Sequence, residues 1–221
     1  MPNDFGPIYT ETLLGRFPVE PWNTVSNLIF FFVVVYFSRR VYRERLASPI
    51  FLLGLPILFV GFIGGSLFHA TRSDRIWLYL DFVPILLLTL LASLYFWHQV
   101  TGRLCLAAFA VIGPFVAFRL LRAALPMTIG LRISLGYSFL AITVLLPAIL
   151  FCWKHLPSKA PLLAYSAASF LIAITFRMSD GSGLLPMGTH FLWHIFGGLS
   201  SFFLMSFLLS AELHRLKNAT V

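Results

Sequence analysis

The chain has 221 residues, 59% of them hydrophobic and only 11% charged, with 16 Lys plus Arg against 8 Asp plus Glu for a formal net charge of +8. Soluble domains carry roughly a quarter charged residues, so this composition excludes a soluble domain and places the chain in a bilayer. The basic residues sit at the ends of apolar runs, where they read as topology signals rather than as a surface for nucleic acid.

A transmembrane helix needs about 20 apolar residues, and seven such runs follow one another: 21–42, 48–70, 75–98, 103–123, 127–153, 160–177 and 185–211. The expected fold is an all-α, seven-helix membrane bundle forming one domain over 1–221, with a short extramembrane segment at 1–20. That segment carries Asp4, Glu11 and Glu20, and has neither a basic n-region nor a small-residue cleavage site, so it does not read as a signal peptide. Glu20 is expected to cap the first run, where negative charge and side-chain acceptors are favourable. Asn23 and Asn27, one turn apart, are expected to tie that run to its neighbours.

The joints between runs are short and polar, as in Thr71-Arg72-Ser73-Asp74-Arg75 and Ser179-Asp180-Gly181-Ser182-Gly183. The joint at the end of run one carries Arg39, Arg40, Arg43 and Arg45, against the single Arg16 of the N-terminal segment. By the positive-inside rule this predicts an outside N-terminus and an inside C-terminus. Arg177 and Asp180 are expected to pair in the last outer loop, and Gly61 and Gly65 to allow close helix packing. Cys105 and Cys152 are assigned no role.

Three runs carry polar groups at what should be one side of the membrane. Run two closes on Ser66 and His69, run three holds Asp81 in Tyr79-Leu80-Asp81-Phe82, and run seven opens on Gly188-Thr189-His190-Phe191-Leu192-Trp193-His194. His190 and His194 are spaced i, i+4, so both project from one helix face and can reach one ion. A single histidine or serine in a span is more often an interhelical hydrogen-bond partner than a ligand. The joint placement of five polar groups instead favours a metal site, because ionisable groups at membrane depth are costly. His98, His155 and His214 fall at the opposite ends or in loops, where solvated histidines need no function.

Three imidazoles, His69, His190 and His194, leave one position of a tetrahedral zinc open, as in catalytic sites. Such an ion lowers the pKa of bound water to about 7. Asp81 fits the general base, and Ser66, one turn from His69, a donor to the developing oxyanion. The expected chemistry is hydrolysis of an amide or ester, and a site sunk in the bilayer favours a lipid substrate. The same site allows another N-acyl or ester lipid hydrolase, or a receptor-like protein with residual hydrolysis. A non-enzymatic ion or proton pathway is disfavoured because no polar chain continues to the inner side.

Glu20-Pro21-Trp22-Asn23-Thr24-Val25-Ser26-Asn27, then Ser66 with His69, then Asp81, then Gly188-Thr189-His190-Phe191-Leu192-Trp193-His194 resemble the ordered signatures of the alkaline ceramidase family. That family belongs to a seven-span superfamily with the adiponectin-type receptors and the GPI-remodelling hydrolases. The resemblance implies zinc on His69, His190 and His194, Ser66 and Asp81 beside the metal water, and cleavage of ceramide to sphingosine and a fatty acid. In the family pattern the serine precedes the histidine by four residues; here position 65 is glycine and Ser66 precedes His69 by three. The resemblance also implies an acidic N-terminal calcium site, for which Glu11 and Glu20 are the matching residues and Asp4 a distant one. Short loops without sorting tails suggest a bacterial inner membrane, with the site on the periplasmic side.

Overall fold

The computed structural model describes residues 6–124 and 126–219; Asp4 lies outside the described residues. Eight α-helices run α1 Pro21–Ser26, α2 Leu28–Arg43, α3 Pro49–Thr71, α4 Arg75–Thr101, α5 Leu104–Ala124, α6 Ile129–His155, α7 Ala160–Met178 and α8 His190–Ala219. With α1 and α2 joined as one span, seven helices among the described residues are long and apolar enough to cross a membrane. No strand occurs among the described residues.

Local chemistry sets the ends of these helices. Pro49 opens α3 behind Ser48, a position where a missing N–H costs nothing. Asp74 caps α4 by accepting from the Ile76 amide at 2.8 Å, Thr128 caps α6, and Gly102 closes α4 in the left-handed region. Two boundaries differ from expectation. The seventh helix starts at His190 rather than 185, because Pro186 and the left-handed Gly188 (φ 77°) hold a turn before it, and it continues past 211 to include Glu212.

The second difference is a break in the first span. At Asn27 the amide bonds Val25 rather than Asn23, so the helix stops at Ser26 and resumes at Leu28. The Asn23 carbonyl, released from the helical ladder, accepts from the Asn27 side chain at 2.9 Å and from the Ser26 hydroxyl at 3.0 Å.

Six of the seven spans close a ring in the order α2, α3, α4, α6, α7, α8, and α8 packs back on α1 and α2; α5 lies outboard on α4 and α6. Gly61 and Gly64 make the close α3–α4 approach, since a Cβ at Gly64 would sit 2.4 Å from Leu80 backbone carbon and one at Gly61 would sit 3.1 Å from Pro84. Gly65 does something else, described below. The tightest apolar packing, around Phe37, Phe51, Phe96, Phe151 and Phe207, fills the end of the bundle away from the histidines. Cys105 is exposed and Cys152 buried, both free.

Candidate metal centre

The carboxyl end of α3, the amino end of α8 and the amino end of α4 meet at one end of the bundle. His69, His190 and His194 come together there, each buried (0%, 3% and 4% exposed). One ring nitrogen from each lies within 4.8 Å of the others, close enough for small ring movements to bring all three onto a single ion. The ring centroids are 4.8–5.6 Å apart.

Hydrogen bonds fix which nitrogens are available. His69 Nδ1 faces a carboxylate oxygen of Glu20 at 2.5 Å, and His194 Nδ1 faces the Asn23 carbonyl at 3.2 Å and Ser26 Oγ at 2.8 Å. A carboxylate and a carbonyl can only accept, so both Nδ1 atoms carry the proton and both Nε2 atoms are bare. Holding the distal N–H of a metal histidine on a carboxylate or backbone carbonyl is how proteins set ligand tautomer and orientation. His69 Nε2 and His190 Nδ1 are buried without a hydrogen-bond partner among the described residues. Buried imidazole nitrogens without a partner call for one, and a donor set of three imidazoles suits zinc. These residues fit the ion expected of them.

Glu20 does not cap α1. Its side chain makes no capping bond; the Glu11 carboxylate takes that place, accepting from the Trp22 and Asn23 amides at 2.9 and 2.6 Å. Glu20 instead binds His69 Nδ1, the Arg72 guanidinium, Thr12 Oγ1 at 2.6 Å and Asn23 Nδ2 at 3.2 Å. Burial alone would raise its pKa, but the contacts with His69, Thr12 and Arg72 outweigh it and hold the carboxyl at about 2. Glu11, pushed up by its own partial burial, is opposed by the two amides it caps. Asn23 and Asn27 act within the first span and on the site more than between spans.

Asp81 and Asn27 aim their oxygens at Gly65. A Cβ at Gly65 would stand 2.5 Å from Asp81 Oδ1 and 2.9 Å from Asn27 Oδ1. The glycine therefore makes room for the carboxylate one turn before His69, rather than serving helix packing as expected. Ser66, about 100° further round the α3 axis, keeps a buried hydroxyl with no hydrogen-bond partner among the described residues. It does not line the cavity that Asp81 shares with His194.

That cavity has a volume of about 220 Å³. Asn27, Asp81, Tyr137, Trp193 and His194 stand at one end of it, and Phe51, Phe96 and Leu208 at the other. From His194 to Leu208 along α8 is about 21 Å at the helical rise of 1.5 Å per residue. Its walls are almost entirely apolar, with Thr89, Ser166, Ser200 and Ser201 as hydroxyl exceptions.

Two further contributors carry no metal-ligand signal in the sequence. Tyr9 stacks on His190 with ring centroids 3.7 Å apart, and burial keeps its hydroxyl protonated by pushing its pKa up. Asp180 is the cap of α8: Oδ1 accepts from the Thr189 and His190 amides at 2.8 and 2.9 Å, while Oδ2 accepts from the Thr10 amide at 2.8 Å. The expected Arg177–Asp180 pair does not form, since Asp180 is engaged by these amides. Arg177 instead lies over Tyr137 and Trp193 at 5.5 and 5.7 Å. Gly188 fits because any Cβ there would sit 2.4 Å from Asp180 Oδ1.

The chain matches no protein-family model and no curated protein.

Proposed function

We propose that the chain is a zinc-dependent intramembrane amidase that hydrolyses ceramide to sphingosine and a free fatty acid. The observation that carries this reading is the buried triad His69, His190 and His194, whose nitrogens lie within 4.8 Å of one another. Support comes also from Asp81 beside it, from the apolar cavity running away from both, and from the family resemblance of the four segments quoted above.

His69, His190 and His194 would hold the ion, which when bound supplies Lewis acidity and a hydrolytic water at neutral pH. Glu20 and the Asn23 carbonyl keep two of the rings in the tautomer that binds metal. Asp81, held against Gly65, takes the proton from the attacking water and delivers it to the sphingoid amine as the C–N bond breaks. Ser66 is assigned to the developing oxyanion on the family resemblance alone, since it does not line the cavity that Asp81 and His194 share. The apolar cavity receives a hydrocarbon chain and keeps bulk water from the reacting bond. The reading places this end of the bundle on the outer face of a bacterial inner membrane, with the four arginines at 39–45 inside.

The test is fatty-acid release from a panel of ceramides and acyl phospholipids by the detergent-purified protein, with chelator and then zinc, beside His190→Ala. Zinc-restored release from ceramide alone, absent in the variant, is the expected result. Release only from another lipid moves the substrate while keeping the chemistry; no release from any lipid despite one bound zinc per chain sinks the enzyme reading.

A further inference from the structure

Residues 6–20 form a strap over the histidines, and that strap is rich in oxygen acceptors. Tyr9 covers His190, Thr10 is tied to Asp180, and Glu11 caps α1. Carboxylates of Glu11 and Glu20 with backbone carbonyls of the same loop are the donors that a hard divalent cation such as calcium collects, six to eight at a time. The arrangement of those oxygens says what they serve in this chain.

Two guanidiniums take them. Arg72 binds the Glu20 carboxylate and the Pro7 carbonyl (3.0 Å) through Nη1, and its Nη2 lies 3.4 Å from the Gly6 carbonyl. Arg16 takes the carbonyls of Glu11 and Val19, each at 3.1 Å, and that of Pro18 at 3.2 Å. The Glu11 carboxylate is spent on two amides of α1. Arg72 is 1% exposed and packs its guanidinium over Phe68 at 5.0 Å. It leaves α3 from a left-handed backbone (φ 45°), a conformation that turns the chain where the helix ends three residues after His69.

A guanidinium is always charged, and its five donors in a fixed plane can join a carboxylate to backbone carbonyls on one cation. A divalent ion would need the same Glu20 oxygen and the same space. We propose that Arg72 is the resident cation of the strap: its guanidinium fills the oxygen-lined hole beside Glu20, so the cover over the histidines closes without calcium. Glu11 and Glu20 then serve as helix cap and histidine holder rather than as calcium ligands. Arg72 acts on the metal site at one remove, as a positioning residue that fixes Glu20, which fixes His69. The inference rests on the histidine site and not on which lipid is cleaved.

The experiment follows thermal unfolding and retained zinc of the full chain in detergent, in EGTA and in millimolar calcium, for wild type, Arg72→Ala and Arg72→Lys. Wild type is expected to give the same midpoint and the same zinc content in both solutions. Arg72→Ala is expected to lose several degrees and most of its zinc, and to recover part of each in calcium, which can enter the vacated hole. Arg72→Lys, with one compact charge in place of a planar fork, falls between them. A wild-type midpoint or zinc content that rises with calcium overturns the proposal, and so does an Arg72→Ala protein that equals wild type in EGTA or gains nothing from calcium. Should Arg72→Ala not be recovered, the wild-type titration decides, together with Arg72→Lys, whose equality with wild type in EGTA would count against the proposal. No readout here involves lipid turnover, so a protein that cleaves no ceramide yet ignores calcium loses only the amidase reading.

Discussion

Two buried glutamates stand at opposite ends of this bundle, and each is paired with an arginine close by in the fold. Glu20 is 0% exposed and bound by Arg72; Glu212 is 1% exposed and bound by Arg215 at 3.1 and 3.2 Å. The Glu212 pair lies within one helix, three residues apart, with its arginine side chain 40% exposed. The Glu20 pair joins the N-terminal strap to the end of α3, both partners fully buried, and Glu20 also holds His69. Both carboxylates thus satisfy the need of a buried charge for a partner by holding an arginine. What separates the two ends is the imidazole on one of them, with its other nitrogen bare and two more histidines beside it.

The hardest blow to that contrast falls on the histidines. His190→Ala is expected to abolish zinc retention and with it all amide hydrolysis, measured by elemental analysis and fatty-acid release; a variant that keeps its metal would dissolve the distinction. Next, Asp81→Asn should keep the zinc and lose about 10²- to 10⁴-fold in turnover, the range for removing a general base. The two glutamates can be set directly against each other. Glu20→Gln should weaken zinc binding by about 10–100-fold, as for other groups that hold metal histidines, while Glu212→Gln leaves zinc affinity unchanged and only lowers the unfolding midpoint. Equal zinc affinities in the two variants would mean that the Glu20–His69 contact is structural alone. The smallest effect is expected of Asp180→Ala, which removes the cap of α8 and should cost about 1–2 kcal/mol, or about 2–8 °C for a chain of this size, with a modest loss of zinc.

The seven spans are legible because hydropathy and length decide them, and most of their ends fall within a few residues of expectation; the seventh is the exception, since Pro186 and Gly188 hold a turn where the apolar run already begins and the helix continues well past 211. The histidine triad was legible for a different reason: His190 and His194 share a face by spacing, and alternating spans bring the end of the second to the start of the seventh. Contacts between distant segments were not legible. Thr10 with Asp180, Tyr9 with His190 and Arg72 with Glu20 join residues from 52 to more than 170 apart, and nothing local in the sequence announces them. The break at Asn27 was missed because neither Gly nor Pro stands at it; the side-chain amide of Asn27 itself stabilises the freed Asn23 carbonyl. Gly65 carries the signal of a packing residue because a glycine in a span looks the same in sequence whether a helix or a carboxylate lies against it.

The bond between Thr10 and Asp180 also bears on how the protein is made. The strap is synthesised before all seven spans, yet Asp180, to which Thr10 bonds, follows it by about 170 residues, and His190 and His194 come later still. A chain with six spans inserted would contain Glu20, Arg72 and His69 but only one of the three histidines, and without α8 its ring of helices would be open between α2 and α7. Metal capture can occur only after the last helix has entered and closed that ring. An ion held by all three histidines would in effect be a record that the last span had been inserted.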